Sequence, residues 1–518
     1  MTQAHSAPGA GLPVLDSSQS AAPEVGVGAD PLTQRVRGGV LWNAGGTVLL
    51  RLSNIAVMAV VARIVAPEEV GIFALAMVVQ AFLTSMAELG VASAIARTDL
   101  DIDKIAPTVA TISLCFSLTL AAAMAAFAEQ LAMALGSAEV AGTIRILAIN
   151  VALIGVFAVP GAQILRDFRQ DVLFWASVVS FAASSAVLVL LALLGDGASA
   201  FAWSRVAGQL VTGLVIAACL RKVYLPGLDM KYLMPLLRFG IPLAMANLLS
   251  QVLLNVDYVF VSQFMSTADV GIYMLAFNVS NWSAAVIATV LNSMVLPAFS
   301  TIRRDGGDTR AALAKAVRTV ALFAFPIAAF TATFGTELIV TIYGDTWAAG
   351  GPVLTVLSIY GAVFVLNLLF ANIIISVGRT GVLFAVQALA LVALLPALAL
   401  GVTSGGLVGV GAAHIAVILA VTLPVYLVAL RRSIGAGAAG VLRALVRPAS
   451  GAIAAAVVAG LATSAVEAAP LRLVLGGLIG AVVFTLWTLP LSLELLPQRR
   501  VASGQRGVFA YAKEKGGL

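Results

Sequence analysis

Long apolar segments alternate with short polar ones along most of this chain, from about residue 35 to residue 496. A helix that crosses a bilayer needs about 20 mostly apolar residues, so the pattern predicts about fourteen transmembrane helices. Within a bilayer, segments this long and apolar satisfy their backbone groups only as helices. The sequence therefore predicts an all-α integral membrane protein. The expected helix centres are Leu50, Ala81, Leu118, Leu153, Val187, Leu210, Leu249, Ala284, Ala324, Val363, Leu391, Ile418, Val457 and Val482.

The hydrophobic pattern contains an internal repeat. The run from Val70 to Ala76 returns 200 positions later, and the residues that follow Arg169 are similar to those that follow Arg379, at a spacing of 210. Each spacing covers six predicted spans, and because six is even, both copies enter the membrane with the same polarity. Two parallel repeats related by an axis along the membrane normal are found in transporters. We therefore expect two parallel six-helix lobes followed by two C-terminal helices.

Composition agrees with this interpretation. Hydrophobic residues make up 61% of the 518 residues and charged residues 10%, whereas soluble domains carry roughly 25% charged residues. The mean hydropathy is +1.04. The net charge of +6 follows from topology, because basic residues accumulate in short cytoplasmic loops. No nucleic-acid partner is needed to explain that charge.

The distribution of basic residues orients the chain. Most of the 30 Lys and Arg residues lie in the two tails and in alternate loops. Arg63, Arg145, Arg205 and Arg472 are expected on the opposite, outer side, and Arg51 within span one. Both termini are therefore predicted to be cytoplasmic, in a multi-pass protein of the bacterial cytoplasmic membrane. The expected organisation is residues 1–34 as a disordered tail without a signal peptide, 35–220 as the N-lobe with spans one to six, 221–238 as a cytoplasmic linker, 239–430 as the C-lobe with spans seven to twelve, 431–496 as spans thirteen and fourteen, and 497–518 as a basic cytoplasmic tail.

Short loops and isolated reactive residues argue against an enzyme. No loop is long enough for a catalytic domain outside the membrane, and the chain has no H-E-x-x-H motif. Of the two histidines, His5 lies in the tail and His414 stands alone in span twelve, where a packed, hydrogen-bonded role is more common than that of a metal ligand. Cys115 and Cys219 are isolated, so neither a disulfide framework nor a metal cluster is expected. We expect no catalytic residue and no cofactor, with an H⁺ or Na⁺ gradient as the candidate driving force.

Polar residues inside the predicted spans are the candidates for substrate binding. On span one, four of them fall within about 80° of arc at 100° per residue. On span seven, three recur at i, i+4 and i+8 with Tyr258 completing the face, while span two adds Gln80 and span eight a row of asparagines. Polar groups this deep cost free energy unless they face protein or water, so the stripes predict a central aqueous cavity. The candidate substrate-binding residues are Asn43, Thr47, Arg51, Asn54, Gln80, Asn247, Gln251 and Asn255.

Each of these polar groups also has a structural interpretation. Asparagine and glutamine often bond neighbouring helices, which is the alternative for the asparagines of span eight. Arg51 either binds an anion in the cavity or forms a structural ion pair. Asp257 lies about 120° away from the span-seven stripe and is either a titrating carboxylate or a hydrogen-bonded clamp between helices. Glu88 is a second candidate for ion coupling, with ordinary polarity at the membrane interface as its alternative.

Several motifs, taken in order, resemble a known family. They are the run from Ala62 to Ala76 (ARIVAPEEVGIFALA), 255–258 (NVDY) followed by 270–273 (VGIY), 296–299 (LPAF), 343–347 (YGDTW) and Gly378 with Arg379. Together they resemble Wzx-type polysaccharide flippases, in the colanic-acid exporter-like branch of the multidrug/oligosaccharidyl-lipid/polysaccharide superfamily. The resemblance covers roughly residues 35 to 430. It implies the two-lobed architecture of the MATE and MurJ transporters of that superfamily.

The resemblance also implies a function. A relative of this kind translocates an undecaprenyl-pyrophosphate-linked oligosaccharide across the cytoplasmic membrane by alternating access, for cell-surface or exopolysaccharide biosynthesis. Arg51 would attract the pyrophosphate, a dense anion that suits a guanidinium. The asparagines and glutamines would bond sugar hydroxyls while the lipid tail stays in the bilayer. The expected partners are the lipid-linked oligosaccharide and the lipid bilayer, with a polysaccharide polymerase and glycosyltransferases as candidate neighbours.

Three other functions compete with this one. A lipid II flippase would concentrate several arginines in the cavity, where only Arg51 is clearly midspan. A cation-coupled multidrug antiporter of the same superfamily would show a pocket rich in carboxylates, whereas Asp257 is the only deep acid in the C-lobe. A membrane glycan polymerase or ligase would need a large outer loop with catalytic arginines or acids, and the outer loops are too short.

Overall fold

The computed structural model describes residues 50–87, 102–167, 169–220, 224–291, 299, 302 and 306–495. Packing divides the chain into Met1–Arg51 and Leu52–Leu518. Throughout the described ranges the regular elements are helices.

The principal helices follow one another with short connections. They are α1 (Leu50–Val61), α2 (Pro67–Ala87), α3 (Ile102–Ala126), α4 (Ala128–Ala134), α5 (Val140–Arg166), α6 (Gln170–Leu194), α7 (Gly197–Ala218), α8 (Met230–Phe264), α9 (Thr267–Val290), α10 (Thr309–Thr333), α11 (Gly335–Tyr343), α12 (Gly350–Ser376), α13 (Thr380–Val417), α14 (Leu423–Ile434), α15 (Ala438–Ala462) and α16 (Ala469–Leu495). A 3₁₀ turn at Asp345–Trp347 precedes α12, and a π-helical turn at Ile418–Thr422 joins α13 to α14.

These helices confirm the all-helical membrane fold. Among the described residues, 11 helical segments are long and apolar enough to cross a membrane. One of them, Gly381–Ile434, holds two of the predicted spans, and every predicted span centre lies in a described helical element. The helices therefore agree with about fourteen spans. Helix α8 begins at Met230, within residues 221–238, and the assignment of those residues to a cytoplasmic linker stays a prediction.

Gly406 is the point at which the two spans of that segment separate. Its φ of 55° lies in the left-handed region, which costs glycine little because it has no Cβ. Beyond the break the chain returns against itself, and Gly401 packs so closely on Gly409 that a Cβ on either would collide with the carbonyl group of the other. The turn between spans eleven and twelve therefore depends on glycine at three positions.

The two lobes meet where α2 and α9 begin, and they do so symmetrically. A Cβ on Gly71 would collide with the carbonyl oxygen of Thr267, and a Cβ on Gly271 with that of Pro67. Gly71 and Gly271 are repeat equivalents, and so are Pro67 and Thr267, because each pair is 200 positions apart. The two contacts between the lobes are therefore equivalent. Reciprocal contact between equivalent residues is the signature of a two-fold axis. The packing confirms the parallel two-lobed architecture expected from the repeat.

The last two long helices are an addition to the second lobe. Helices α15 and α16 pack on each other and on α10, and α16 also contacts α11. Arg472 at the start of α16 forms an ion pair with Glu337 of α11 at 2.7 Å. Large apolar side chains such as Leu400 and Leu461, each 71% exposed, cover the outer surface of the helices. An apolar surface of this kind is what lipid contact requires.

Candidate functional site

A buried polar cluster lies in the second lobe, where three helices meet. Asp257 of α8 is 1% exposed, Tyr273 of α9 is fully buried and His414 of α13 is 7% exposed. The Tyr273 hydroxyl donates to Asp257 Oδ2 at 2.7 Å, and His414 Nε2 lies 3.4 Å from the same oxygen. The backbone N–H of Tyr258 donates to Asp257 Oδ1 at 3.0 Å. The two carboxylate oxygens are therefore both bonded, and the group joins α8, α9 and α13.

Aromatic rings enclose this cluster. The ring of Tyr360 lies 5.0 Å from that of His414, and Tyr258 packs edge-to-face on Tyr273 at 5.4 Å. In such an enclosed place the hydrogen bonds of the carboxylate are shielded from water, so they contribute to holding the three helices together. The hydrogen-bonded clamp predicted as one role of Asp257 is present. Its titration remains a prediction.

His414 is packed and hydrogen-bonded, as expected, but it is not alone. Its Nε2 lies 3.5 Å from the Tyr273 hydroxyl and within ion-pair distance of Asp257. No group of three or more potential metal ligands occurs among the described residues. No local pattern in the sequence indicates this pairing, because the two residues come from helices far apart along the chain.

The predicted polar stripe of α8 is formed, although it ends earlier than expected. Asn247, Gln251 and Asn255 are half-buried, and the Asn255 amide donates to the Gln251 backbone carbonyl at 2.8 Å and to its side-chain oxygen at 3.2 Å. Tyr258 shares this face of α8 at 100° per residue, but it packs against Tyr273 and Phe277 of α9 and is only 8% exposed. The accessible part of the stripe therefore consists of the three amides.

The candidates on the first two spans are only partly described. Asn43, Thr47 and Glu88 lie outside the described residues. Arg51 and Asn54 are exposed on α1. The role of Arg51 as a phosphate ligand remains a prediction.

Gln80 is 2% exposed inside the first lobe, and its partner corrects one assignment. Arg205 Nε donates to Gln80 Oε1 at 3.1 Å. Arg205 was expected on the outer side of the membrane, whereas it lies within α7, about 12 Å from the start of that helix at 1.5 Å per residue. The expectation was wrong because α7 begins at Gly197, earlier than its apolar stretch indicates.

Arg205 faces an open polar pocket of about 370 Å³. The pocket lies between α2, α5, α6 and α7 of the first lobe. Phe73 and Phe201 stack beside it with ring centroids 5.1 Å apart. The lining residues are Phe73, Asn150, Ser180, Ser184, Phe201, Ser204, Arg205, Gly208, Gln209 and Thr212.

The pocket and the buried cluster occupy equivalent places in the two lobes. At the spacing of 200, Phe73 corresponds to Tyr273 and Val57 to Asp257. At the spacing of 210, Asn150 corresponds to Tyr360 and Ser204 to His414. Tyr273, Tyr360 and the role of His414 were not predicted. Tyr273 has a signal in the repeat, since the second copy carries a carboxylate and a phenol at positions where the first is apolar.

Contacts at the α2/α9 end hold the lobes together on the side predicted to face outward. The indole N–H of Trp347, which is fully buried, donates to the Ala62 carbonyl at 2.7 Å. The Arg63 guanidinium donates to the Thr341 carbonyl at 2.9 Å. With the reciprocal glycines, these contacts close this end of the interface between the lobes.

Alanine at Gly271 is expected to destabilise this closed end. The new Cβ meets the Pro67 backbone, and overpacking of this kind costs about 1–3 kcal/mol. Gly161 is the matched control, since a Cβ there meets nothing within 4 Å and alanine is the better helix former by about 1 kcal/mol. Thermal unfolding of the purified variants measures both effects. Melting temperatures that rise equally in Gly271→Ala and Gly161→Ala would contradict the tight crossing.

Comparison with known proteins places these features in context. A family model described as polysaccharide biosynthesis protein matches residues 60–350. The chain is 26% identical over 388 residues to the succinoglycan biosynthesis transport protein ExoT of Rhizobium meliloti, covering 74% of this chain and 76% of that protein. It is 21% identical over 414 residues to the lipopolysaccharide biosynthesis protein WzxC of Escherichia coli, covering 78% and 82%.

Two solved structures share the fold. The lipid II flippase MurJ in an inward closed conformation aligns with a TM-score of 0.70 at 14% identity, over 87% of this chain and 99% of the other. An inward-facing multidrug resistance MATE family transporter aligns with a TM-score of 0.60 at 16% identity, over 74% and 96%. The MATE- and MurJ-like architecture expected from the sequence is therefore confirmed.

Proposed function

The chain belongs to the polysaccharide biosynthesis protein family, and from this premise we propose that it is a flippase for a lipid-linked oligosaccharide. It carries an undecaprenyl-pyrophosphate-linked unit from the cytoplasmic to the outer leaflet of the bacterial cytoplasmic membrane. The match to that family over residues 60–350 is the observation that carries the proposal. It is a transporter and not an enzyme, and it works beside the polymerase and glycosyltransferases that use the same lipid.

Alternating access supplies the mechanism. The lobes touch through reciprocal glycines at the start of α2 and α9, so small rotations about this crossing separate the helices without distorting either lobe. Rocking of two repeats about their common axis is the usual motion of such folds. The contacts made by Trp347 and Arg63 open when the outer end opens.

The polar head group and the apolar polyprenyl tail of the substrate require different surfaces on the protein. Arg51 is the candidate guanidinium for the pyrophosphate. The amides of α8 are candidates for bonds to sugar hydroxyls. An apolar groove of about 410 Å³ runs between α3 and α8, one helix from each lobe, with Ile112, Phe116, Leu237 and Ile241 among its lining residues. A groove of this composition suits a polyprenyl tail that remains in the membrane while the head group crosses.

Coupling to an H⁺ or Na⁺ gradient is assigned to Asp257. The carboxylate holds together α8, α9 and α13 through Tyr273 and His414. A bound cation or proton changes the strength of that junction, and an ion biases a conformational equilibrium only through its different affinity for the two states. Glu88 is the second candidate.

Orientation is tested with single cysteines. In a chain whose Cys115 and Cys219 have been replaced by serine, cysteines at Glu139 and Glu467, both exposed, should react with an impermeant reagent added outside intact cells. A cysteine at Ala438, also exposed, should react only after the cells are opened. The opposite pattern would reverse the topology that follows from the basic loops.

The flippase proposal is tested by transport. The purified chain in proteoliposomes should move an undecaprenyl-pyrophosphate oligosaccharide between leaflets. A cation-coupled multidrug antiporter would instead exchange organic cations for protons or sodium, and a lipid II flippase would move lipid II in preference to the oligosaccharide. A polymerase or ligase would lengthen or transfer the glycan without moving it.

A further inference from the structure

Arg205 is a cation without a counter-ion among the described residues. Its Nε donates to the amide oxygen of Gln80 at 3.1 Å, and no carboxylate of the described ranges forms an ion pair with it. A guanidinium has five N–H donors and stays charged in proteins. Among the described residues one donor is used, so within that part of the chain the terminal nitrogens remain available to a ligand.

The exposed side of Arg205 does not face lipid. Trp203, Leu210 and Leu214 are 41%, 40% and 54% exposed, and they lie about 140–180° around α7 from Arg205 at 100° per residue. Gln209 and Thr212 share its side of the helix and line the pocket. A charged residue within a span almost always faces a protein interior or a water-filled cavity. The exposed part of the Arg205 side chain therefore faces the pocket.

The other polar residues of the lining offer acceptors that could bond the hydroxyl groups of a ligand whose acidic group binds Arg205. Asn150 is 3% exposed, lines the pocket, and its Oδ1 has no hydrogen-bond partner. The hydroxyls of Ser180 and Ser204 donate to the carbonyls of Gly208 and Ser184, each at 2.8 Å, which leaves their oxygens free to accept. Donors are thus concentrated at Arg205 and acceptors around it.

The pocket has room for one sugar ring. Its volume of about 370 Å³ corresponds to about a dozen water molecules at 30 Å³ each. The stacked rings of Phe73 and Phe201 give it one apolar wall. Binding sites for small molecules commonly combine apolar walls with a few polar groups that fix orientation.

Comparison of the lobes explains why the ligand should be an anion. In the second lobe, Asp257 and Tyr273 supply a carboxylate and a phenol that fill the equivalent place. In the first lobe Val57 and Phe73 supply neither, and Arg205 brings the opposite charge. The second lobe therefore contains its own anion, whereas the first lobe leaves space for one from outside.

We propose that the pocket beside Arg205 is an oxyanion subsite that binds an acidic sugar unit of the transported glycan. This inference rests on the proposed flippase function and adds the class of glycan, one that carries a carboxylate. Arg205 contacts the carboxylate through its terminal nitrogens, and Asn150 with the serines bonds the ring hydroxyls. The chain would then favour acidic over neutral oligosaccharides.

Binding of small probes to the purified full-length chain tests the subsite. Glucuronate, glucose, acetate and sulfate are compared by saturation-transfer NMR with the unmodified chain and with Arg205→Gln. Glucuronate should bind, and Arg205→Gln should weaken it at least about tenfold. Glucose should bind weakly and independently of Arg205. The matched control is Arg145→Gln, which removes an exposed arginine paired with Glu129 and should change none of these affinities.

A second variant guards against misfolding. Asn150→Asp places a carboxylate within the pocket, where it can pair with Arg205, so the chain should keep its melting temperature and lose glucuronate binding. Glucuronate binding that survives both Arg205→Gln and Asn150→Asp would overturn the assignment. If acetate or sulfate bound as tightly as glucuronate, the site would be one for small free anions. That result would overturn the proposal that the site recognises an acidic sugar.

Binding and transport measured on the same chain distinguish failure of the subsite from failure of the flippase function. If glucuronate binding depends on Arg205 but reconstituted chain moves no lipid-linked oligosaccharide, the flippase function fails and the oxyanion site stands. If the chain transports acidic and neutral oligosaccharides at equal rates, and Arg205→Gln does not change their ratio, the subsite fails and the flippase function stands.

Discussion

Asp257→Asn is expected to abolish the response of transport to an ion gradient while leaving the chain folded. Asparagine has nearly the shape of aspartate and can still accept a hydrogen bond from the Tyr273 hydroxyl, which lies 2.7 Å from the carboxylate. It cannot carry a negative charge or take up a proton, so it can neither form an ion pair nor neutralise a bound cation. Where the unmodified chain transports faster with an imposed gradient, the variant should show a ratio close to one.

Two further substitutions separate coupling from simple stabilisation. Tyr273→Phe restores the residue of the first copy and removes one hydrogen bond to a charged group, which costs about 1.5–3 kcal/mol, yet it retains the carboxylate and should retain a gradient response. His414→Gln removes the imidazole, so it should lose the response if the pair with Asp257 at 3.4 Å is the element that senses the ion.

The measurement is uptake of labelled lipid-linked oligosaccharide in proteoliposomes, with and without an imposed proton or sodium gradient. If Asp257→Asn responds to the gradient as strongly as the unmodified chain, Asp257 is a structural clamp. The coupling residue would then have to be sought at Glu88.

Arg51→Ala is expected to abolish export of the glycan at an unchanged level of protein, while Arg51→Lys retains part of it. Lysine keeps the charge but loses the planar, bidentate geometry that a guanidinium offers to phosphate. Removing one partner of a charged pair at a binding site costs about 2–5 kcal/mol, and at about 1.4 kcal/mol per tenfold transport should fall at least about thirtyfold in the alanine variant.

Arg145→Ala is the matched control for Arg51. Arg145 is an exposed arginine whose 2.7 Å pair with Glu129 is worth about 0–1 kcal/mol at a surface, and its loss should leave export unchanged. Glycan at the cell surface and protein in the membrane fraction are measured together. Normal export by Arg51→Ala would reject the phosphate-binding role, and loss of the protein itself would favour a structural ion pair.

The overall architecture could be predicted because its signals are local and repeated. Apolar length gave the spans, and the matching runs at Val70 and Val270 gave the parallel lobes. The structure adds that Gly71 and Gly271, in the middle of those runs, are where the lobes touch. The repeated run therefore marks the duplication, and its glycines also allow the two lobes to pack closely.

The polar centres could be predicted only in part, because they depend on contacts between distant segments. Asp257 stood out as a deep acid, but nothing near it in sequence identifies His414 as its neighbour. Arg205 was misplaced since hydropathy fixes the ends of a span loosely, and a shift of two turns moves a residue from a loop to midspan. The two copies differ at Val57 and Asp257 and at Phe73 and Tyr273. These differences are the sequence signal that points to the buried cluster of the second lobe.

Reconstituted transport shows whether this chain moves a lipid-linked oligosaccharide between leaflets. Purified chain is placed in proteoliposomes with an undecaprenyl-pyrophosphate oligosaccharide whose sugar is labelled, and a glycosidase added outside reports how much label has reached the outer leaflet. We expect label beyond the initially accessible fraction with the unmodified chain and little increase with Arg51→Ala. Equal accessibility with the unmodified chain, with Arg51→Ala and in protein-free vesicles would contradict this expectation.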